Sequence, residues 1–298
     1  MKHILLRIIT VILLVALIGA LCSCGSTDEP SGKPENSSKT SEQSQISEQP
    51  DDNQSAGEEI IDEDEDPWFE EDPDAPYEDP FDSKKAKPLD SGGSLNTMDI
   101  VTFGSYKQNS SGSDNKPIEW IVLKVEGNKA LLLSRYVLDT VQYHSDYKTV
   151  SWELCTLRKW LTEEFAPEAF GSDISRLVGT ATPADKNPSF DTDQGGNTSD
   201  NIFLMSAVEV SNAAYGFEKY DVMEDAIRMA RATDYAKAKG CFVAEGGRFN
   251  GYANWWLRTM GSNTKQTAYI YSDGSVCTVG AYTIHKDVGV RPAIWVSI

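Results

Sequence analysis

Histidine and cysteine are scarce in this chain, at three and five of its 298 residues. Beyond the N-terminal segment only His144 and His285 remain, far apart, so spacing alone assembles neither a zinc cluster nor a Cys-His dyad. G-x-S-x-G, H-E-x-x-H and phosphate-loop motifs are also lacking. Basic charge is short: 27 Lys and Arg stand against 46 Asp and Glu, a formal net charge of -19. Binding to nucleic acid needs a basic face to neutralise phosphate, so that class of partner is not expected. The deficit is local. Residues 25–94 hold 22 acidic and 5 basic side chains, while residues 95–298 hold 24 and 20. The acidity belongs to a tail, and the part expected to fold is close to neutral.

What is present begins with an address. Lys2 and Arg7 precede the apolar run IITVILLVALIGA at residues 8–20, and Leu21-Cys22-Ser23-Cys24-Gly25 follows. A charged start, a short apolar stretch and small residues before a cleavage point make a secretory signal. The placement of Cys24 resembles the lipobox of bacterial lipoproteins, although Cys22 is unusual within it. The resemblance implies cleavage after residue 23 and a diacylglyceryl anchor on Cys24. Residues 4–21 reach about the minimum spanning length only if Arg7 is included, and the Cys24 context favours cleavage and lipidation over a retained membrane helix. Two acyl chains anchor well where one does not. The expectation is a protein held to the cell membrane by lipid, facing outside the cytoplasm.

Residues 24–94 read as a disordered acidic linker rich in Ser, Pro and Gln, too poor in apolar side chains to offset ordering entropy. Its densest block, residues 58–82, carries Trp68, Phe69, Tyr77 and Phe81 among the acids. Two readings stand: a solvated spacer, or a short recognition segment that folds onto a partner or onto its own domain. Cys155, Cys241 and Cys277 remain after processing. One disulfide with a spare thiol and three buried thiols both fit, and their apolar neighbours favour the thiols.

From Leu95 the pattern changes. Residues 100–106 and 118–125, the turn signal Gly127-Asn128 and residues 130–134 predict consecutive hairpins. Leu154, Leu157, Leu161 and Phe165 predict a helix with Ser151 as its N-cap and Pro167 as its stop. Residues 179–200 are polar and turn-rich. A short strand is expected at 202–205 and a long helix over 217–239. Strands at 255–258, 267–271, 276–279 and 288–298, with a tight turn at Asp273-Gly274, complete an α+β domain with a mostly antiparallel sheet and two helices.

Six blocks then carry a resemblance. They are Phe103-Gly104-Ser105-Tyr106; Pro117-Ile118-Glu119-Trp120; Trp152 with Leu157-Arg158-Lys159-Trp160-Leu161; Ile202 to Ser206 with Glu209; Trp255-Trp256-Leu257-Arg258; and Gly289-Val290-Arg291-Pro292-Ala293. In this order they resemble a bacterial domain-of-unknown-function family over residues 98–298. The resemblance implies a C-type-lectin-like fold for residues 95–298, with an ending similar to that of formylglycine-generating-enzyme relatives.

The candidate ligand-binding residues are Trp255, Trp256, Arg258 and Arg291. Successive strand side chains point to opposite faces, so one of the two tryptophans is expected on the less buried side. Arg258 and Arg291 suit a carboxylate or sulfate ligand, or an internal acid such as Glu119 or Glu209. Asp191, Asp193 and Asp200, in a loop with Asp185, Asn187 and Asn197, are calcium candidates. The loop lacks EF-hand spacing and the Glu-Pro-Asn or Gln-Pro-Asp triplet of calcium-dependent lectins, so no cofactor is expected. The leading expectation is a binding module for an envelope glycan or protein. The alternatives are an interaction protein that uses its acidic tether, and a formylglycine-type enzyme whose chemistry would fall to Cys241 and Cys277.

Overall fold

The computed structural model describes residues 75–298. The signal segment, Cys24, Trp68 and Phe69 therefore lie outside the described residues. Thirteen strands occur among those described. In chain order they begin with β1 (Lys87–Pro88), β2 (Ile100–Lys107), β3 (Asn115–Glu126), β4 (Lys129–Ser134) and β5 (Asp139–Thr140). Then come β6 (Thr180–Thr182), β7 (Thr198–Asp200), β8 (Ile202–Phe203) and β9 (Trp255–Met260). The last four are β10 (Gln266–Ile270), β11 (Val276–Tyr282), β12 (Gly289–Val290) and β13 (Ala293–Ser297).

They form a six-stranded sheet in the order β1-β2-β3-β4-β13-β8, a five-stranded sheet in the order β11-β10-β9-β12-β5, and the pair β6-β7. Pairing is antiparallel except at β1/β2 and β12/β9. One apolar cluster contains side chains of both larger sheets, including Ile121, Leu132, Ile294, Trp255 and Ile270. The α+β class with a mostly antiparallel sheet is as the periodicity predicts.

The β3–β4 hairpin closes at Gly127-Asn128, between the paired residues Glu126 and Lys129, with Gly127 at φ +60°. Gly104 sits where the β2/β3 register shifts, at φ +69°. A Cβ there would lie 2.7 Å from the Ala169 carbonyl oxygen and from the Phe170 ring, so only glycine lets β2 approach the following helix. Trp120 donates its indole N–H to the Phe103 carbonyl at 2.8 Å, and Phe103 stacks on Phe170. Two of the sequence blocks are thus joined as one packing unit. The Asp273-Gly274 turn is present, with Gly274 N–H on the Tyr271 carbonyl at 3.0 Å.

Both helix expectations need correction. Ser151 precedes only a one-turn 3-10 helix, Trp152–Leu154, and its side chain makes no capping bond; the α-helix starts at Thr156, where Cys155 is the N-cap and its sulfur accepts the Arg158 N–H. Leu157, Leu161 and Phe165 are buried as their spacing predicts, but Leu154 lies in a preceding turn and is 70 % exposed. Pro167 does not stop it. Residues Leu161–Phe165 form a π-turn in which Ala166 N–H returns to the Leu161 carbonyl. Main-chain bonding has already slipped by one residue there, so the missing N–H of Pro167 is tolerated and Ala166–Phe170 stays helical.

The long helix expected over 217–239 reduces to Asp234–Ala238, capped by the Thr233 hydroxyl. The preceding residues are folded around two buried charges. Asp225 accepts N–H bonds from Glu218, Ile227 and Arg228. The Arg228 guanidinium donates to the carbonyls of Val210, Glu218, Lys219, Val222 and Gly274. Several of these carbonyls are ones a helix would have satisfied internally.

The linker expected to run to residue 94 gives way earlier. Phe81 is 4 % exposed and joins the core, Asp82 pairs with Arg135 and Arg231, and β1 adds to the six-stranded sheet. An aromatic with acids two and one positions to its sides docks through burial and charge together, a pattern that acidic composition conceals.

Candidate functional site

Trp255 and Trp256 are both wholly buried, and neither reaches the surface. All six residues of β9 are buried, because β9 lies inside its sheet and both faces are covered. The two indoles donate to the Arg228 and Val141 carbonyls at 2.8 and 3.1 Å. The expectation of a surface-facing tryptophan on this strand is corrected.

Arg258 takes the internal-acid role. It bonds Glu209, lies 3.0 Å from Asp185 Oδ2 and donates to the Leu204 carbonyl. Ser206 completes the network through its hydroxyl on Asp185 and its N–H on Glu209. Glu119 instead meets Arg135 at 2.8 Å.

Arg291 has no ligand-facing position, and no ion pair among the described residues. It is wholly buried, donates to the carbonyls of Ser134, Ile227 and Arg228, and lies over the Trp255 ring at 4.9 Å. Burial pulls its pKa down to about 9. Gly289, two residues earlier, packs where a Cβ would strike Val137 Cγ1 at 2.2 Å. The terminal Gly-Val-Arg block is therefore a packing element.

The calcium candidates do not converge. Asp191 is 97 % exposed and faces Lys186 at 3.7 Å. Asp193 accepts the Gly195 N–H, closing a local turn. Asp200 is buried and receives Arg158 Nε at 2.6 Å and the Trp152 indole N–H at 3.0 Å. No group of three or more His, Cys, Asp or Glu suited to a metal occurs among the described residues. Cys155, Cys241 and Cys277 are free thiols, and burial pushes Cys155 and Cys241 up to about 12.

The tryptophan that does reach solvent is Trp160. Among the described residues it is the one tryptophan only partly buried, packed against the core with its ring 5.6 Å from Phe165. It opens on a cleft of about 390 Å³ between its helix and residues 141–145. Gln142 and Ser145 line the far wall; Thr156, Lys159, Glu163 and Glu164 line the helix side. Thr156, Lys159, Trp160 and Glu163 fall at helical spacings of three and four, which sets them on one face. A second depression of about 400 Å³, with Glu153, Leu154, Arg158 and Thr162 in its lining, shares Thr156, Lys159 and Glu163 with the first. Together they surround the exposed side of the helix.

The walls are fixed by hydrogen bonds. Ser145 N–H donates to Thr156 Oγ1 at 3.0 Å, Thr156 N–H to His144 Nδ1 at 3.2 Å and Leu157 N–H to the Tyr143 carbonyl at 3.1 Å. The segment 143–145 thereby satisfies N–H groups that a helix start leaves open. Burial holds His144 below its ordinary pKa, in keeping with an acceptor at Nδ1. Gln142 is oriented by its bond to the Ile284 carbonyl at 2.7 Å. Lys159 and Glu163 are mostly exposed and 3.7 Å apart, a pair that water screens and a ligand can rearrange. The result is an open groove offering an indole surface beside amide, hydroxyl, carboxylate and ammonium groups.

The C-terminal part of the chain, residues 127–298, matches a family described as "Domain of unknown function (DUF6273)". The match covers more than half of the sequence. The chain belongs to the DUF6273 family. The groove, Arg258 and Arg291 all lie inside the DUF6273 match, whereas β2 and β3, with the Phe103 and Trp120 blocks, precede it. No curated protein and no solved structure matches the chain.

Trp160 was within reach of sequence reasoning. The apolar stripe Leu157, Leu161 and Phe165 fixes the inward face, and residue 160 falls on its rim. The opposite wall was not, because residues 141–145 reach the helix only through tertiary contacts.

Proposed function

We propose that this protein is a lipid-anchored, extracytoplasmic binding module that recognises a cell-envelope glycan through the groove beside Trp160. The finer fold reading, a C-type-lectin-like domain, belongs to the same proposal and rests on the order of the six sequence blocks. The observation that carries the functional reading is the partly exposed indole set among fixed polar groups. Sugar rings present an apolar face and a fringe of hydroxyls. A tryptophan face meets the first, and Gln142, Ser145, Thr156 and Glu163 meet the second. The address rests on Cys24 and the residues before it.

The test is a binding screen of the purified chain against arrayed envelope glycans and envelope proteins, with and without calcium. A glycan hit lost in Trp160→Ala and retained in Lys129→Ala, a change on the hairpin, supports the reading. A hit on proteins alone, or one indifferent to Trp160, overturns it. Mass spectrometry of the cell-derived protein tests the anchor separately, since unacylated Cys24 with Met1 retained contradicts it.

A further inference from the structure

We propose that the arginine-lined seat beneath residues 77–82 is a recognition site for an acidic, aromatic-bearing peptide supplied in trans, and that this segment of the chain is its built-in competitor. The seat shares no lining residue with the Trp160 groove, and the inference does not depend on the glycan reading.

The segment sits on the domain as a bound peptide does. Among the described residues its one main-chain bond to the rest of the domain is Tyr77 N–H to the Arg248 carbonyl, at 2.9 Å. Everything else is side chain. Phe81 inserts into the core. Asp82 receives Arg135 Nη2 at 2.9 Å and Arg231 Nη1 at 2.8 Å, and Asp79 lies 3.8 Å from Arg231. The Tyr77 ring meets Tyr252 edge-on at 5.8 Å.

The seat is built without help from the segment. Arg231 and Tyr252 pair through a β-bridge, and Val137 and Ala232 through another. The Arg231 guanidinium lies 5.0 Å over the Tyr252 ring, and Arg135 is 5.1 Å from Tyr136. Glu119 holds the other terminal nitrogen of Arg135, Nη1, at 2.8 Å. Departure of the segment would leave two arginines fixed and facing outward.

The present occupant also leaves donors unused. Arg135 Nε and the Tyr252 hydroxyl are buried and have no hydrogen-bond partner among the described residues. Buried donors of this kind are costly to leave unmet, so a ligand that reaches them gains over one that does not. Asp82 is half exposed, so its ion pairs are screened and exchange is not prohibitive. Carboxylates for the arginines and an aromatic ring for the Phe81 pocket define the partner's chemistry.

The test uses a fluorescent peptide with the sequence of residues 76–84 and the purified chain. Phe81→Ala/Asp82→Asn weakens the competitor, and the peptide should bind this variant at least tenfold tighter than the wild type. Adding Arg231→Ala should reverse that gain. Equal or absent binding to a weakened variant that still melts cooperatively overturns the proposal, and equal binding of polyglutamate overturns its aromatic part. If the variant does not fold, hydrogen exchange on the wild-type chain decides. Saturating peptide should speed exchange at the Tyr77 amide at least threefold, and an unchanged rate overturns the proposal.

Discussion

β9 and the first helix carry nearly the same letters, Trp255-Trp256-Leu257-Arg258 in one and Leu157-Arg158-Lys159-Trp160 in the other. They do opposite work. On β9 every side chain is enclosed, both indoles are committed to carbonyls, and Arg258 is locked between Glu209 and Asp185. On the helix only one side is covered. Leu157 is buried, Arg158 is held by Asp200, and Lys159 and Trp160 face a groove. A central strand has two covered faces and a surface helix has one. Residue type therefore says little about ligand binding until the number of covered faces is known.

The comparison breaks most sharply at the enclosed end. Arg291→Leu should be the most damaging change, since it takes a donor from the Ser134 and Ile227 carbonyls and leaves the Arg228 carbonyl to the Trp255 indole alone. Unmet buried acceptors cost about 1–3 kcal/mol each, so a urea melt should show a loss of at least about 2 kcal/mol or no cooperative transition. A loss below about 1 kcal/mol would mean that water reaches those carbonyls.

Trp255→Phe keeps an aromatic ring but shrinks a fully buried side chain and removes the indole N–H bond to the Arg228 carbonyl, for an expected loss of about 1–3 kcal/mol. Trp160→Phe, on the open region, should change stability by less than about 1 kcal/mol. Equal losses in the two melts would erase the distinction between the regions.

The smallest effect concerns His144, which fixes the helix start. Burial lowers its pKa in the folded chain from the ordinary 6.5. The unfolded chain then takes up the proton more readily. The stability tied to neutral His144 is complete above about pH 6.5 and is lost as pH falls from there toward the lowered folded value. His144→Asn, which can keep an acceptor for the Thr156 N–H, should flatten that acid-side loss in melts taken from pH 7.5 to pH 5. An unchanged pH profile would show that other groups carry it.

Much of the fold was legible. Alternation in β2, the Gly127-Asn128 turn and the apolar stripe at 157, 161 and 165 are local signals, and the structure follows them. The failures share a cause. The helix expected over 217–239 was overruled by Arg228 and Asp225, which satisfy the local backbone from inside the core. Pro167 was overruled by a π-turn that no single-residue preference encodes. Phe81 was hidden by the acids around it. At the candidate site the sequence pointed to Trp255, Trp256, Arg258 and Arg291, which are buried, and not to Trp160; Gln142 and Ser145 come from a segment with no periodicity of its own.

The most direct measurement is titration of a glycan that the wild-type chain binds against Trp160→Ala and Trp160→Phe, with urea melts of each protein. The account predicts at least tenfold weaker binding in Trp160→Ala, substantial recovery in Trp160→Phe, and cooperative unfolding in both. Undiminished binding by a folded Trp160→Ala protein would contradict it.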